Sequence, residues 1–325
     1  MLPVFLTIDT EYSAGLYLHG GGRTWRENFA RSIACEARGG SVGVGYQIEV
    51  MDRHGLKGVF FVDPMPALVW GTDAIAAAVD PILSAGHDVQ LHLHTEWLAF
   101  AERNPLGSRI GTNIADFTLD EQRILLDYAC GQLVAAGAPA PVAFRAGNYG
   151  ANDDTLRALA LLGVKLESSF PAALDFSACR ISLGRGDVFP QRHLGVVEVP
   201  ISAIAARGRG RRHAQLTAMS LWELKSAVRH AVTADWPAFV VVSHSFEMMN
   251  RQNGVANRLV QRRFEAFCEW LGGQGDVRAA TFSEPGIDER LIGRTPAAAA
   301  ALLPHSPVRE ALRMGEQAIA NMVYG

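Results

Sequence analysis

The chain has 325 residues, 49% of them hydrophobic and 19% charged, with a formal net charge of −3. That length and apolar content bury one large core or two modest ones. The slightly acidic balance, with a pI near 6.4, gives no electrostatic case for nucleic acid. No apolar run approaches the ~20 residues of a membrane-spanning helix. The opening Met1-Leu2-Pro3-Val4-Phe5-Leu6 lacks a basic n-region and a cleavage site, and reads as a first strand instead of a signal peptide. Cys35, Cys130, Cys179 and Cys268 fall in four separate elements without Cys-x-x-Cys spacing, as expected of free thiols in a reducing cytoplasm.

A short apolar strand over residues 3–8 delivers Asp9-Thr10-Glu11 at its C-terminal end. A glycine-rich passage surrounds a short helix at 25–38. The next helix, 44–54, ends at Gly55 in the place of a C-terminal glycine. A strand at 57–62 and a helix at 73–85, closed by Gly86, lead into Asp88-Val89-Gln90-Leu91-His92-Leu93-His94. There apolar and polar residues alternate with the period of a strand that has one apolar face. His92 and His94 therefore point the same way, ~7 Å apart, and two imidazoles so placed either share a metal ion or are hydrogen-bonded structural residues.

A helix at 118–136 opens on a capping box, Thr118 with Glu121. The strand Val142-Ala143-Phe144-Arg145 runs into Ala146-Gly147-Asn148-Tyr149-Gly150, a helix at 153–162 and a strand at 164–167. Residues 168–192 read as irregular and 196–200 as a strand. Arg207-Gly208-Arg209-Gly210-Arg211-Arg212-His213 reads as a basic loop, either solvated or touching an anionic substrate group. A helix at 220–233 starts on a second capping box, Ser220 with Glu223. The β-branched run at 239–245 is of the kind buried on both faces. A helix at 257–271, a strand at 277–281 and an Ala-rich helical tail complete the chain.

Strands alternating with helices of this length predict βα units around a parallel sheet. Six or seven such units in one undivided stretch predict an α/β fold, a distorted (β/α) barrel of about seven strands over residues 1–284, with a helical extension at 285–325. In βα barrels the chemistry sits at the C-terminal ends of the strands. Asp9 and Glu11, His92 and His94, Arg145, and His244 all fall there. Singly, Asp9 is a cap, His244 a satisfied core histidine and Arg145 a partner for an acid. Together they supply metal ligands, a base, a charge partner for the base and a separate acid, the parts of metal-assisted hydrolysis of an amide or ester.

In this order the motifs resemble those of the polysaccharide deacetylases, the NodB-homology fold of carbohydrate esterase family 4, over about residues 3 to 284. Thr7-Ile8-Asp9-Thr10-Glu11 resembles the family's Thr-Phe-Asp-Asp, and Gly55-Leu56-Lys57-Gly58-Val59-Phe60-Phe61-Val62 its Gly-Ile-Lys-Ala-Thr-Phe-Phe-Val. Gly86-His87-Asp88-Val89-Gln90-Leu91-His92 is similar to Gly-His-Glu-Ile-Gly-Asn-His. Phe144-Arg145-Ala146-Gly147-Asn148-Tyr149-Gly150 is similar to the arginine loop, and Val241-Val242-Ser243-His244-Ser245 to the late histidine strand. Two departures stand out. The adjacent aspartates are replaced by Asp9-Thr10-Glu11, and the position four residues after His92, where the family has its second ligand histidine, holds Glu96.

The resemblance implies a divalent metal ion, zinc by preference, held by Glu11, His92 and His94, with Glu96 as the alternative to His94. It implies Asp9 as base, Arg145 as the partner of its charge, His244 as acid and Asp175 as the aspartate that tunes His244. The implied substrate is an N-acetylated glycan, giving acetate and a free amino sugar. Other readings are a C–N hydrolase of the same fold acting on a small ureide or imide, and a degenerate glycan-binding barrel. An amidohydrolase barrel has its His-x-His pair on the first strand and is disfavoured by the motif order here.

Overall fold

The computed structural model describes residues 1–173, 177–250, 254–293 and 302–324. One nine-stranded sheet organises them. Its strands are β1 Leu2–Thr10, β2 Val59–Val62, β3 Asp88–Leu93, β4 Ala143–Ala146, β5 Leu166–Glu167, β6 Gln191–His193, β7 Val196–Glu198, β8 Phe239–His244 and β9 Val277–Ala279. The spatial order is β8-β1-β2-β3-β4-β5-β7-β6, with β9 paired to the start of β1. All neighbours are parallel except the antiparallel β6 and β7. The expected distorted (β/α) barrel is thus present. The three-residue β6 was hidden at the end of the stretch read as irregular, too short to show a period.

The strands are buried on both faces, for two reasons. One apolar cluster draws Phe5, Val59, Phe61, Ala143, Leu166, Val197 and Val240 from successive strands and fills the barrel. Phe282 caps it by stacking on Phe5 at 4.6 Å between ring centroids. The larger cluster lies between the sheet and the helices. The helices start where the chemistry of their first turns dictates: the boxes of Thr118 with Glu121 and Ser220 with Glu223 both form. Gly55 ends the helix Val44–Arg53 at φ 65°, a conformation that costs glycine little. The early helix is shorter than expected, Trp25–Ser32. The chain turns after it into a small hairpin, Glu36–Ala37 with Gly40–Ser41.

The sheet is not closed by pairing of its two end strands. Instead residues 214–216 cover the outer edge of β8: Val242 N donates to Ala214 O at 2.8 Å and Leu216 N to Val242 O at 3.0 Å. That segment follows directly from the presumed basic loop, which the structure corrects. Arg211–His213 is a strand, paired antiparallel with Ala203–Ala205, and only the residues between form a turn. Beyond residue 284 come helices Ile287–Ile292 and Pro307–Tyr324. The latter is tied back by ion pairs from Arg263 to Glu316 (2.8 Å) and Arg212 to Glu310 (3.5 Å). The Ala-rich run at 294–301 and Asp175 lie outside the described residues. The four cysteines are free thiols. No helix among the described residues is long and apolar enough to cross a membrane.

Candidate active site

Parallel register brings distant segments to one rim. Asp9 stands opposite His244 across β1 and β8, and His92 opposite Arg145 across β3 and β4. The strand ends open into a cavity of about 360 Å³ whose walls include Asp9, Glu11, His92, His94, His213 and His244. Arg145 lies buried beneath it, so all six residues singled out in the sequence meet at one place.

Glu11, His92 and His94 form one wall. The Nε2 atoms of His92 and His94 lie 3.3 and 2.5 Å from the same Glu11 Oε2. The ligand atoms of the trio are all within 4.8 Å of one another. The rings have closed to 4.9 Å between centroids, nearer than the strand repeat alone gives. Behind each imidazole is an acceptor for its other nitrogen. His92 Nδ1 donates to Arg145 O at 2.7 Å, and His94 Nδ1 pairs with Glu96 Oε2 at 2.8 Å. Both Nε2 atoms are thereby turned toward Glu11.

Electrostatics reinforce the trio. Burial works against the Glu11 carboxylate, but the charges and hydrogen bonds of His94 and His92 outweigh it and hold the carboxyl well below its ordinary value. Burial likewise opposes charge on His94, yet Glu11, Glu96 and Asp63 raise it well above that of a free imidazole. The pocket thus favours positive charge beside Glu11. Two imidazole nitrogens and a carboxylate on one wall, facing an open cavity, fit a divalent cation that keeps positions for other ligands.

Arg145 is wholly buried and each of its three guanidinium nitrogens donates a hydrogen bond. Nη1 donates to Asp9 Oδ1 at 2.6 Å and to Thr7 Oγ1 at 2.9 Å; Nε donates to Ser168 O at 3.0 Å and Nη2 to Ser168 Oγ at 3.2 Å. The group also lies 4.3 Å over the Phe61 ring. This fixed fork holds one oxygen of Asp9. The other, Oδ2, is 3.9 Å from His244 Nε2.

His244 is oriented by a residue that the sequence reading passed over. Its Nδ1 lies 3.0 Å from Glu247 Oε1, and Glu247 also accepts from Ser243 Oγ (3.1 Å), Thr217 Oγ1 (3.2 Å) and Gln215 Nε2. Burial opposes the imidazolium, but the hydrogen bond and charge of Glu247, with Asp9 and Glu11, lift His244 to about 9. A carboxylate three residues after a histidine was a signal available in the sequence. Gln215 and His213 were not legible, because their place depends on the edge cover of β8. On the far side, Asn148 and Tyr149 both take φ 56°, two consecutive left-handed residues that swing the loop after β4 around the cavity.

No protein-family model matches the chain, and no curated protein matches it. Among solved structures it is similar to a protein from Mycobacterium smegmatis provisionally named a polysaccharide deacetylase, with 16% identity and a TM-score of 0.54 over 94% of this chain and 92% of that one. It is similar also to 4-alpha-glucanotransferase from Thermococcus litoralis, with 12% identity and a TM-score of 0.54 over 94% of this chain and 42% of that one. A family 4 carbohydrate esterase from Streptomyces lividans, in complex with acetate, matches with 10% identity and a TM-score of 0.41 over 87% and 93% of the two chains. A structure provisionally named a deacetylase and one named a glucanotransferase share this scaffold, so the fold alone does not name the reaction. What the chain shares with the first two of these structures is a fold, the distorted (β/α) barrel.

Proposed function

We propose that the protein is a metal-dependent hydrolase that removes N-acetyl groups from an amino sugar in a polysaccharide or glycoconjugate precursor. The observation that carries this reading is the division of the cavity. A His-His-Glu trio forms one wall, and an arginine-held carboxylate faces a carboxylate-backed histidine on the other. Glu11, His92 and His94 would hold the divalent ion, which when bound polarises a carbonyl and acidifies water.

The protein's own groups then divide the proton work. Asp9 Oδ2, the oxygen not taken by Nη1 of Arg145, accepts a proton from water as its oxygen bonds to the acetyl carbon. Arg145 keeps that carboxylate in place and compensates its charge. His244, charged at neutral pH through Glu247, donates from Nε2 to the amide nitrogen as the C–N bond breaks. The products are acetate and a free amine. The cavity, at about 360 Å³, falls at the lower end of small-molecule sites and suits one sugar residue at a time.

The test is acetate release from a panel of N-acetylated sugars and glycans by the metal-loaded protein. Chelation should abolish it. Asp9→Asn and His244→Ala should each cost about 10²–10⁴-fold, the range of general acid–base catalysis. Acetate release that survives both chelation and Asp9→Asn overturns the proposal.

A further inference from the structure

A fourth ionisable group stands among those of the candidate cation site, and the proposed reaction does not use it. Asp63 follows β2 directly, and its N–H donates to Thr10 O at 3.1 Å. That bond continues a ladder in which Thr10 faces Val62 and Val62 faces Leu91. One position further on, Asp63 is level with Glu11 on one side and His92 on the other. Along β2 the alternate residues Val59 and Phe61 fill the barrel, and the period of two turns Asp63 to the same side. Its exposure is 1%. Oδ1 accepts the Met65 N–H at 3.0 Å and the His94 backbone N–H at 3.4 Å. Oδ2 is closed off from solvent and has no hydrogen-bond partner among the described residues.

A buried carboxylate with a bare oxygen is costly unless a positive charge stands near it. Level with it on the neighbouring strands are Glu11 and His92, and its Oδ1 holds the His94 backbone N–H. If those three hold a divalent ion, one carboxylate against a doubly charged ion leaves the site with an uncompensated positive charge. Resting on the metal-centre reading above, we propose that Asp63 is part of the cation site, a positioning carboxylate that adds a buried negative charge to that of the ligand Glu11. It acts from outside the trio, since among the described residues only Glu11, His92 and His94 have ligand atoms within 4.8 Å of one another. It does so through the field at the ion and through the His94 backbone that it holds. The sequence reading ended this strand at Val62 and passed over Asp63, although a polar residue closing an apolar run is the signal that marked the other strand ends.

The experiment is cation affinity, measured without any turnover. The full-length protein is stripped with a chelator, then titrated with Zn²⁺ and with Co²⁺ at fixed pH against a chromophoric competitor. Asp63→Asn keeps an acceptor for the Met65 N–H and removes the charge. It should weaken both ions by about 10–100-fold, the usual effect of a residue behind the ligands, while the visible band of bound Co²⁺ keeps its position. Asp63→Glu should restore most of the loss. Equal affinity in Asp63→Asn and wild type, or a folded Asp63→Glu with no recovery, overturns this inference and leaves the metal centre standing. A wild-type protein that binds neither ion overturns the metal-centre reading itself.

Discussion

Glu96 Oε2 lies 2.8 Å from Nδ1 of His94. The carboxylate at the spacing where related motifs have a second histidine is therefore bonded to a histidine two residues earlier in the chain. A carboxylate in that place fixes the tautomer and aim of the ring and raises its basicity. His94→Ala should therefore leave the purified protein without stoichiometric metal, whereas Glu96→Gln should still bind it, about 10–100-fold more weakly. Metal content after dialysis and chelator competition separate the two. Full metal content in His94→Ala would mean that another group binds in its place.

Gly147 controls the same ring from the other side. A Cβ at this position would lie 2.7 Å from Nδ1, Cγ and Cε1 of His94, closer than packed atoms tolerate. The ring is pinned by Glu96 and cannot yield freely. Gly147→Ala should reduce metal affinity with little change in thermal unfolding, read by metal titration beside a melting curve. Unchanged affinity would show that the ring has room to move.

Arg145 and Asp9 are both buried, and their 2.6 Å contact is supported by Thr7 and Ser168. Removing one partner of a buried pair strands the other charge, at a cost of about 3–5 kcal/mol. Arg145→Met should show that loss in urea unfolding, and Arg145→Lys should recover only part of it, because an ammonium cannot reproduce the fork. A loss below about 1 kcal/mol, the scale of an exposed pair, would contradict the buried network.

The pH dependence follows from His244. Burial disfavours its charge, but Glu247 dominates and places it at about 9. As the acid it must be protonated, so turnover should fall as pH rises through about 9. Glu247→Gln should move that alkaline limb downward, as a pH profile of kcat would show. Stability has the same sign: a proton held more tightly in the folded state stabilises fully below the unfolded value near 6.5, and the gain is lost as pH rises through about 9. An alkaline limb unmoved in Glu247→Gln would remove His244 from the acid role.

Much of this architecture is local and was therefore readable. The period of two in β3 sets His92 and His94 on one face, and the capping boxes at Thr118 and Ser220 place two helices to the residue. Polar residues after apolar runs marked the strand ends, because a parallel strand buried on both faces can carry them only where it leaves the sheet. That rule pointed to Asp9, Glu11, Arg145 and His244 from the chain alone.

Tertiary structure decided who meets whom. Asp9 and Arg145 are 136 positions apart, and their contact depends on the order β1-β2-β3-β4 and on register between strands. The choice of His94 beside Glu11, with Glu96 behind it, depends on ring directions that alternation leaves open. His213 and Gln215 enter the cavity only because residues 214–216 cover the edge of β8. Side-chain period is a property of one strand's backbone and is written in its sequence. Register and edge pairing are set by packing between strands, and no single segment encodes them.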